Sequence, residues 1–86
     1  MIQGTTLASW LQLQPDLGAR QLEVLQALRF MRVATNKELA IFLSWPINSI
    51  TPRVHELRNQ HHLVTEAGRV KQKNGRFAIQ WRVIEQ

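Results

Sequence analysis

The fold of this chain follows from its central segment, residues 35–58, which read TNKELAIFLSWPINSITPRVHELR. Thr35 and Glu38 have the spacing of a capping box, in which each side chain accepts a hydrogen bond from the backbone N–H of the other residue. Apolar residues follow at once, at Leu39, Ala40, Phe42 and Leu43. The pattern predicts a short helix that begins after Thr35 and ends by Pro46, since the residue before a proline avoids the helical region.

The second half of the segment predicts another helix. Its apolar residues recur at intervals of three and four, at Ile47, Ile50, Val54 and Leu57. Pro52 is tolerated in the first turn of a helix and disrupts a helix deeper inside. The helix is therefore expected to begin near Asn48 or Ser49, both favourable N-cap residues, and to end near Gln60.

A further helix is predicted upstream, over residues 19–31. Its apolar positions define one broad face, made of Leu22, Val24, Leu25, Leu28, Phe30 and Met31. Residues 32–34 are too few for a helix, so we interpret them as a short extended link between two helices.

Residues 1–18 form a separate segment. They carry no charged side chain before Asp16, and Pro15 and Gly18 interrupt the chain just ahead of the predicted helix. We expect an arm or a short helix here, and a single domain over residues 19–86.

Beyond residue 62 the periodicity changes from helical to alternating, and residues 77–83 read as a half-buried strand. Asn74-Gly75 is a signal for a two-residue hairpin turn, which would pair Val70 with Ile79. Gly68 is expected to introduce a bulge. The inner face of this hairpin would hold Val70, Phe77, Ile79 and Trp81. The outer face would hold Arg69, Lys71, Gln80 and Arg82.

Composition narrows the classes of function. The chain has 86 residues, 11 Lys and Arg against 6 Asp and Glu, no Cys, and a formal net charge of +5. Disulfides and thiolate metal sites are excluded by the lack of cysteine. The apolar run 39–43 is far shorter than a membrane span, and the first 19 residues lack the basic residues of a signal peptide. We expect a soluble, cytoplasmic domain whose partner is a polyanion.

The sequence contains no recognisable catalytic motif. His55-Glu56-Leu57-Arg58-Asn59 misses the zinc-protease pattern H-E-x-x-H because Asn59 occupies the second ligand position. His61 and His62 are adjacent and poorly placed to share one metal ion. We therefore expect no catalytic residue, no metal and no cofactor, and the chain is not expected to be an enzyme.

The order of predicted elements is helix, link, helix, tight turn, helix and hairpin. Residues 45–58 resemble the recognition-helix segment of small winged-helix proteins common in phage and other mobile elements, and residues 35–40 and 75–82 also fit that group. The resemblance covers residues 19–84. It implies an α+β winged helix-turn-helix, with three helices, a C-terminal β-hairpin wing and a short β-link between helices 1 and 2. Proteins of this kind usually carry Gly where this chain has His62.

The third helix is a candidate for reading DNA bases. Side chains near the N-terminus of a helix in the major groove reach base edges, where Asn suits adenine, Arg suits guanine and Glu accepts from cytosine. The candidate base contacts are Ser49, Pro52, Arg53 and Glu56. Asn48 is expected near the phosphates, which helix N-termini attract. Lys37, at the start of the second helix, is placed to meet the DNA backbone.

The predicted hairpin carries a cationic cluster with no acid inside it, formed by Arg69, Lys71, Lys73 and Arg76. Lys73 and Arg76 flank the tip and are expected to touch phosphates or to enter a minor groove.

Other interpretations stay open for several side chains. Glu56 is equally suited to a surface pair with Arg53 or Gln60. Trp45 and Trp81 are interpreted as core residues, with base stacking as the alternative. Trp10 is a candidate cover for the core or a dimer contact.

The function predicted from these observations is binding of double-stranded DNA by a phage or mobile-element transcriptional regulator. A homodimer is an open alternative to a monomer, because one winged helix reads only a short half-site. The alternative functions are a protein-interaction winged helix in a replication or host-defence complex, and a DNA-bending excision or architectural factor.

Overall fold

The computed structural model describes residues 16–84 of the chain. In this part the elements follow in the order α1 (Ala19–Met31), β1 (Ala34–Thr35), α2 (Asn36–Leu43), α3 (Ile47–Asn59), β2 (Val64–Lys71) and β3 (Phe77–Val83). The predicted three helices, short β-link and C-terminal hairpin are confirmed, and with them the winged helix-turn-helix fold. The predictions for residues 1–15, including that for Trp10, lie outside the described residues.

Local hydrogen bonds begin the first two helices. At α1 the side-chain oxygen of Gln21 accepts from the Gly18 backbone N–H at 2.9 Å. At α2 the predicted capping box is formed, with Glu38 N–H donating to the Thr35 hydroxyl at 3.1 Å and Thr35 N–H donating to the Glu38 carboxylate at 2.8 Å. Helix α2 ends at Ser44 in the left-handed conformation, φ 58° and ψ 40°, which makes the tight turn into α3.

Helix α3 begins earlier than predicted. Its first residue is Ile47 and its N-cap is Pro46, which makes no side-chain cap hydrogen bond, so the prediction that Asn48 or Ser49 caps this helix is wrong. Pro52 then lies at the sixth residue of α3. The helix tolerates it because Pro52 and Asn48 are exposed, so the Asn48 carbonyl that loses its donor faces water.

The three strands form an antiparallel sheet in the order β1-β3-β2. The predicted bulge is confirmed, since the register shifts between Glu66 and Gly68. The predicted pairing is wrong by one residue, because Val70 lies opposite Ala78 and Ile79 lies opposite Arg69.

The length of the turn explains the register. Gln72 N–H donates to the Arg76 carbonyl at 2.7 Å and Gly75 N–H donates to the Gln72 carbonyl at 3.0 Å, so the loop has three residues, 73–75, and not two. Gly75 takes the left-handed position with φ 85°, as expected for a turn that ends in a bulge.

A shift of one residue moves every β2 side chain beyond the bulge to the other face. Arg69 and Lys71 therefore share a face with Ile79 and Phe77, and the predicted outer positions of Arg69 and Lys71 are wrong. Val70 is 40 % exposed and Phe77 66 % exposed, so these two predicted inner residues are not buried.

The core lies between the helices and the sheet. Its buried side chains are Val24, Leu25, Ala27, Leu28, Ala34, Leu39, Ala40, Ile50, Val54, Leu57, Val64, Trp81 and Val83. All three helices contribute to this one cluster, which fixes the orientation of α3 relative to α1 and α2. None of the described helices has the length and apolar character needed to cross a membrane.

Candidate nucleic-acid interface

The outward face of α3 carries a polar stripe. Ile50, Val54 and Leu57 are buried on one side, and exposed residues lie opposite at helical spacing: Asn48, Pro52, His55 and Asn59. Asn48 and Pro52 are predicted site residues, and the structure places both on this stripe. His55 and Asn59 were not among the predicted contacts, although the helical period alone puts them on the same face.

His55 and Asn59 are coupled to one another. The Asn59 side-chain amide lies 3.1 Å from His55 Nδ1, and it donates to the His55 carbonyl at 3.1 Å. Both side chains are exposed, so the pair presents a hydrogen-bonding surface near the C-terminal end of the stripe.

Arg53 and Glu56 lie on the flank of α3 that faces α1. Arg53 donates from Nε to Glu56 Oε1 and from Nη2 to Oε2, both at 2.8 Å. Gln21 on α1 donates to the same Oε1 at 2.8 Å. The pairing of Glu56 with Arg53, left open by the sequence, is therefore formed, while contacts of either residue with a base stay predictions. Ser49, a further predicted base contact, is half-buried on this flank.

This network determines the ionisation of Glu56. The hydrogen bonds from Arg53 and Gln21 lower the pKa of the Glu56 carboxyl to about 2. The hydrogen bond to Glu56 in turn raises the pKa of the Arg53 guanidinium. Glu56 is therefore ionised at neutral pH. Two N–H groups of Arg53, on Nε and Nη2, are already engaged in hydrogen bonds to it.

The other flank of α3 contacts α2. Asn36 donates to the Thr51 hydroxyl at 3.4 Å, and Thr51 donates to the Ile47 carbonyl at 3.3 Å. These bonds join the first turns of α2 and α3. Lys37 follows Asn36 and is exposed, so the predicted backbone-contacting lysine lies beside the N-terminus of α3.

The four predicted contact cations of the wing, which is the β2–β3 hairpin, differ in their partners. Arg69 is paired with Glu66 at 3.2 Å. Lys71, Lys73 and Arg76 are exposed, and within residues 16–84 they form no ion pair. The structure therefore leaves three of the four predicted wing cations available to an outside anion.

Lys37 and two wing lysines border one open groove. This wing groove, of about 490 Å³, is lined on α2 by Lys37 and Ile41, and on the hairpin by Val70, Lys71 and Lys73. Among residues 16–84, the only acid along it is Glu38, which is engaged in the capping box. A second groove of about 510 Å³ continues from Lys37 to Ile47 and Thr51 at the start of α3. The grooves thus run from the wing lysines to the N-terminal part of α3.

The two described tryptophans are structural. Trp81 is buried, 7 % exposed, and the guanidinium of Arg58 lies 5.1 Å from its ring centre. Trp45 is half-buried against the core, with the guanidinium of Arg20 at 4.5 Å from its ring centre. The interpretation of both as core residues is confirmed, and an arginine already covers each ring.

Within residues 16–84, no group of three or more His, Cys, Asp and Glu side chains is arranged to hold a metal ion.

The geometry defines the class of protein: a winged helix-turn-helix domain, with α2 and α3 as the helix-turn-helix and the β2–β3 hairpin as the wing. A "possible transcriptional regulator" from Methanosarcina mazei Go1 has this fold, with a TM-score of 0.69 and 11 % identity over 95 % of this chain and 68 % of that chain. The multiple antibiotic resistance repressor MarR is also similar, with a TM-score of 0.64 and 24 % identity over 85 % of this chain.

These similarities establish the fold alone. The chain spans about half of MarR, since the match covers 51 % of the repressor. The sequence matches no protein-family model and no curated protein.

Proposed function

We propose that the chain is a double-stranded DNA-binding protein that lays α3 in the major groove and its wing along the backbone or in a minor groove. The observation that supports this most directly is the arrangement of Lys37, Lys71 and Lys73 around one groove beside the exposed stripe of α3. The phosphates of double-stranded DNA attract lysine side chains, and the major groove of the duplex admits an α-helix such as α3.

The N-terminus of α3 adds to this surface. Its N-cap, Pro46, offers no side-chain acceptor, so the N–H groups of Ile47 and Asn48 have no cap and can meet a phosphate, while Ser49 N–H donates to the Pro46 carbonyl at 2.9 Å. Asn48 is exposed in the first turn and is assigned to the same phosphate contact. Lys37 approaches the backbone from α2, and Lys71, Lys73 and Arg76 approach it from the wing.

The biological role proposed is transcriptional regulation. Both similar structures carry names of regulators, a possible transcriptional regulator and a repressor. The resemblance of residues 45–58 to phage and mobile-element proteins supports that setting. We infer that two copies bind together, because one recognition helix reads a short half-site, and that the protein acts by binding and not by catalysis.

Selection of bound sequences from a random duplex pool, followed by fluorescence titration of the selected duplex, tests the proposal. We expect a discrete motif, symmetric if two copies bind, and binding that weakens steeply with salt. Lys73→Ala should weaken binding to all duplexes alike, whereas Arg53→Ala should relax the motif. Unchanged binding of both variants to the selected duplex would show that the docking mode is wrong.

A protein-interaction module is the second candidate, and one observation favours it. Phe30 on α1 is 73 % exposed and Phe42 on α2 is 49 % exposed, with ring centres 5.7 Å apart. Paired aromatic rings at a surface are typical of protein-binding sites. Absence of salt-sensitive binding to heparin and to any duplex at low salt would favour this function over DNA binding.

A further inference from the structure

A continuous chain of hydrogen bonds runs from the start of α1 to the middle of α3. Gly18 N–H donates to Gln21 Oε1, and the other end of the same amide, Gln21 Nε2, donates to Glu56 Oε1. Arg53 completes the chain with its two bonds to Glu56. Because both ends of the Gln21 amide are used, its orientation is fixed, and it anchors Glu56 to a neighbouring helix.

The two bonds to Glu56 determine which donors Arg53 has left. They use Nε and one N–H of Nη2, which together form the side edge of the guanidinium. The end of the group, made of Nη1 and the second N–H of Nη2, has no hydrogen bond within the described residues. The Arg53 side chain is 30 % exposed, so it is within reach of a molecule that binds at this flank.

The free end of a guanidinium has the geometry of a two-pronged donor. In the major groove, guanine offers two acceptors side by side, O6 and N7, and no other base presents that pair. A lysine could not replace the arginine here, because a single ammonium cannot donate to both a backing carboxylate and two base atoms in one plane.

Resting on the DNA-binding function proposed above, we propose that Glu56 is a positioning residue that holds Arg53 end-on for a guanine, with Gln21 fixing Glu56 from α1. The carboxylate restricts the rotamers of Arg53 before DNA arrives, so less conformational freedom is lost when the base contact forms. Glu56 acts through Arg53 and does not itself need to touch a base.

Because Glu56 and Arg53 carry opposite charges, positioning of Arg53 by Glu56 can be distinguished from a general electrostatic effect. Removing the Glu56 charge raises the net charge of the domain, which strengthens non-specific binding to any duplex. Losing the orientation of Arg53 weakens the preference for guanine. Glu56→Gln should therefore move non-specific affinity and guanine preference in opposite directions, which a purely structural role would not do.

The test compares the wild-type chain with Glu56→Gln, Arg53→Lys and Gln21→Leu. The guanine that Arg53 contacts is identified as the position of the selected site at which the preference for guanine disappears in Arg53→Lys. We expect replacement of that guanine by adenine, or by 7-deazaguanine, which lacks the N7 acceptor, to weaken wild-type binding by about 10-fold or more. In Glu56→Gln the same base changes should cost less than about 3-fold, with tighter non-specific binding.

Gln21→Leu keeps the Arg53–Glu56 pair and removes only the anchor, so an intermediate loss of guanine preference is expected. This variant keeps the test decisive if Glu56→Gln does not fold, as judged by circular dichroism. A guanine preference that survives in the folded variants, or a selected site in which Arg53→Lys changes no position, would overturn this inference alone. Absence of wild-type binding to any duplex would overturn the proposed function together with it.

Discussion

His62 has a strained backbone conformation that substitution by glycine would relieve. Its φ is 55°, in the left-handed region that favours glycine. A non-glycine residue pays about 1 kcal/mol or more for this conformation. The histidine therefore follows the path expected of a glycine, at a cost in stability.

We expect His62→Gly to raise the free energy of unfolding by about 0.5 kcal/mol in urea denaturation, because relief of the left-handed backbone, about 1–2 kcal/mol, outweighs the about 0.5–1 kcal/mol that glycine costs through the freedom of the unfolded chain. His61→Gly is the matched control, because His61 does not have a positive φ and glycine there only adds freedom to the unfolded chain. That variant should lose about 0.5–1 kcal/mol. Equal effects of the two substitutions would show that the left-handed backbone is not the cause.

Glu56 links stability to pH through its ionised form. Its pKa is lowered in the folded chain from its ordinary value of 4.5 to about 2. A lowered pKa means that the folded state favours the carboxylate, so the stabilisation is complete above about pH 4.5 and is lost as the pH falls towards 2.

In Glu56→Gln, the difference in unfolding free energy from the wild type should be constant above about pH 5 and should shrink between pH 4.5 and 2. Thermal unfolding over that pH range measures it. Arg53→Ala removes the main cause of the lowered pKa and should reduce the acid dependence of the wild type. A difference that stays constant down to pH 2 would show that the pKa of Glu56 is not lowered in the folded chain.

The start of α2 carries a complete capping box. Thr35 is 5 % exposed, and its hydroxyl and the Glu38 carboxylate satisfy two backbone N–H groups. Thr35→Ala should reduce the free energy of unfolding by about 1 kcal/mol in chemical denaturation. Thr35→Ser keeps the hydroxyl and should lose clearly less. An equal loss in both variants would assign the effect to the threonine methyl group instead.

The hairpin shows what a two-residue turn motif predicts and what it leaves undetermined. Asn74-Gly75 correctly predicted a turn, but two- and three-residue loops share the same glycine signal. The three-residue loop moved Arg69 and Lys71 to the face of Ile79 and left Val70 on the opposite side, against Ala78. The existence of the wing was thus readable from sequence, and the faces of its side chains were not.

Electrostatics act over the whole molecule, yet the salt dependence of DNA binding should depend on where a charge lies. Lys73→Gln on the wing should weaken binding to every duplex and should lower the salt slope by about 1, since each neutralised phosphate contributes about 0.9. The slope of the logarithm of affinity against that of salt concentration measures this.

Arg82→Gln is the matched control, because it removes the same charge from the far end of β3, six residues from Arg76 and about 20 Å away. Arg82 lines a separate cleft with Arg29, Arg32 and Val33. Its slope should equal that of the wild type. Equal reductions in both variants would mean that net charge, and not the wing groove, determines binding.

Sequence alone determined what depends on neighbours within a few residues. The bounds of α1, the capping box of α2, the order of elements and the bulge at Gly68 all follow from local hydrogen bonds and hydrophobic period. The exposed face of α3 is also local, since three buried residues at helical spacing leave only one side for solvent.

Tertiary structure decided what depends on distant parts of the chain. The flank of α3 that carries Arg53 and Glu56 is paired with α1 because Gln21, 35 residues from Glu56, lies against it in the common core. Side chains so far apart in sequence meet only after the core has closed, and no local period encodes that meeting.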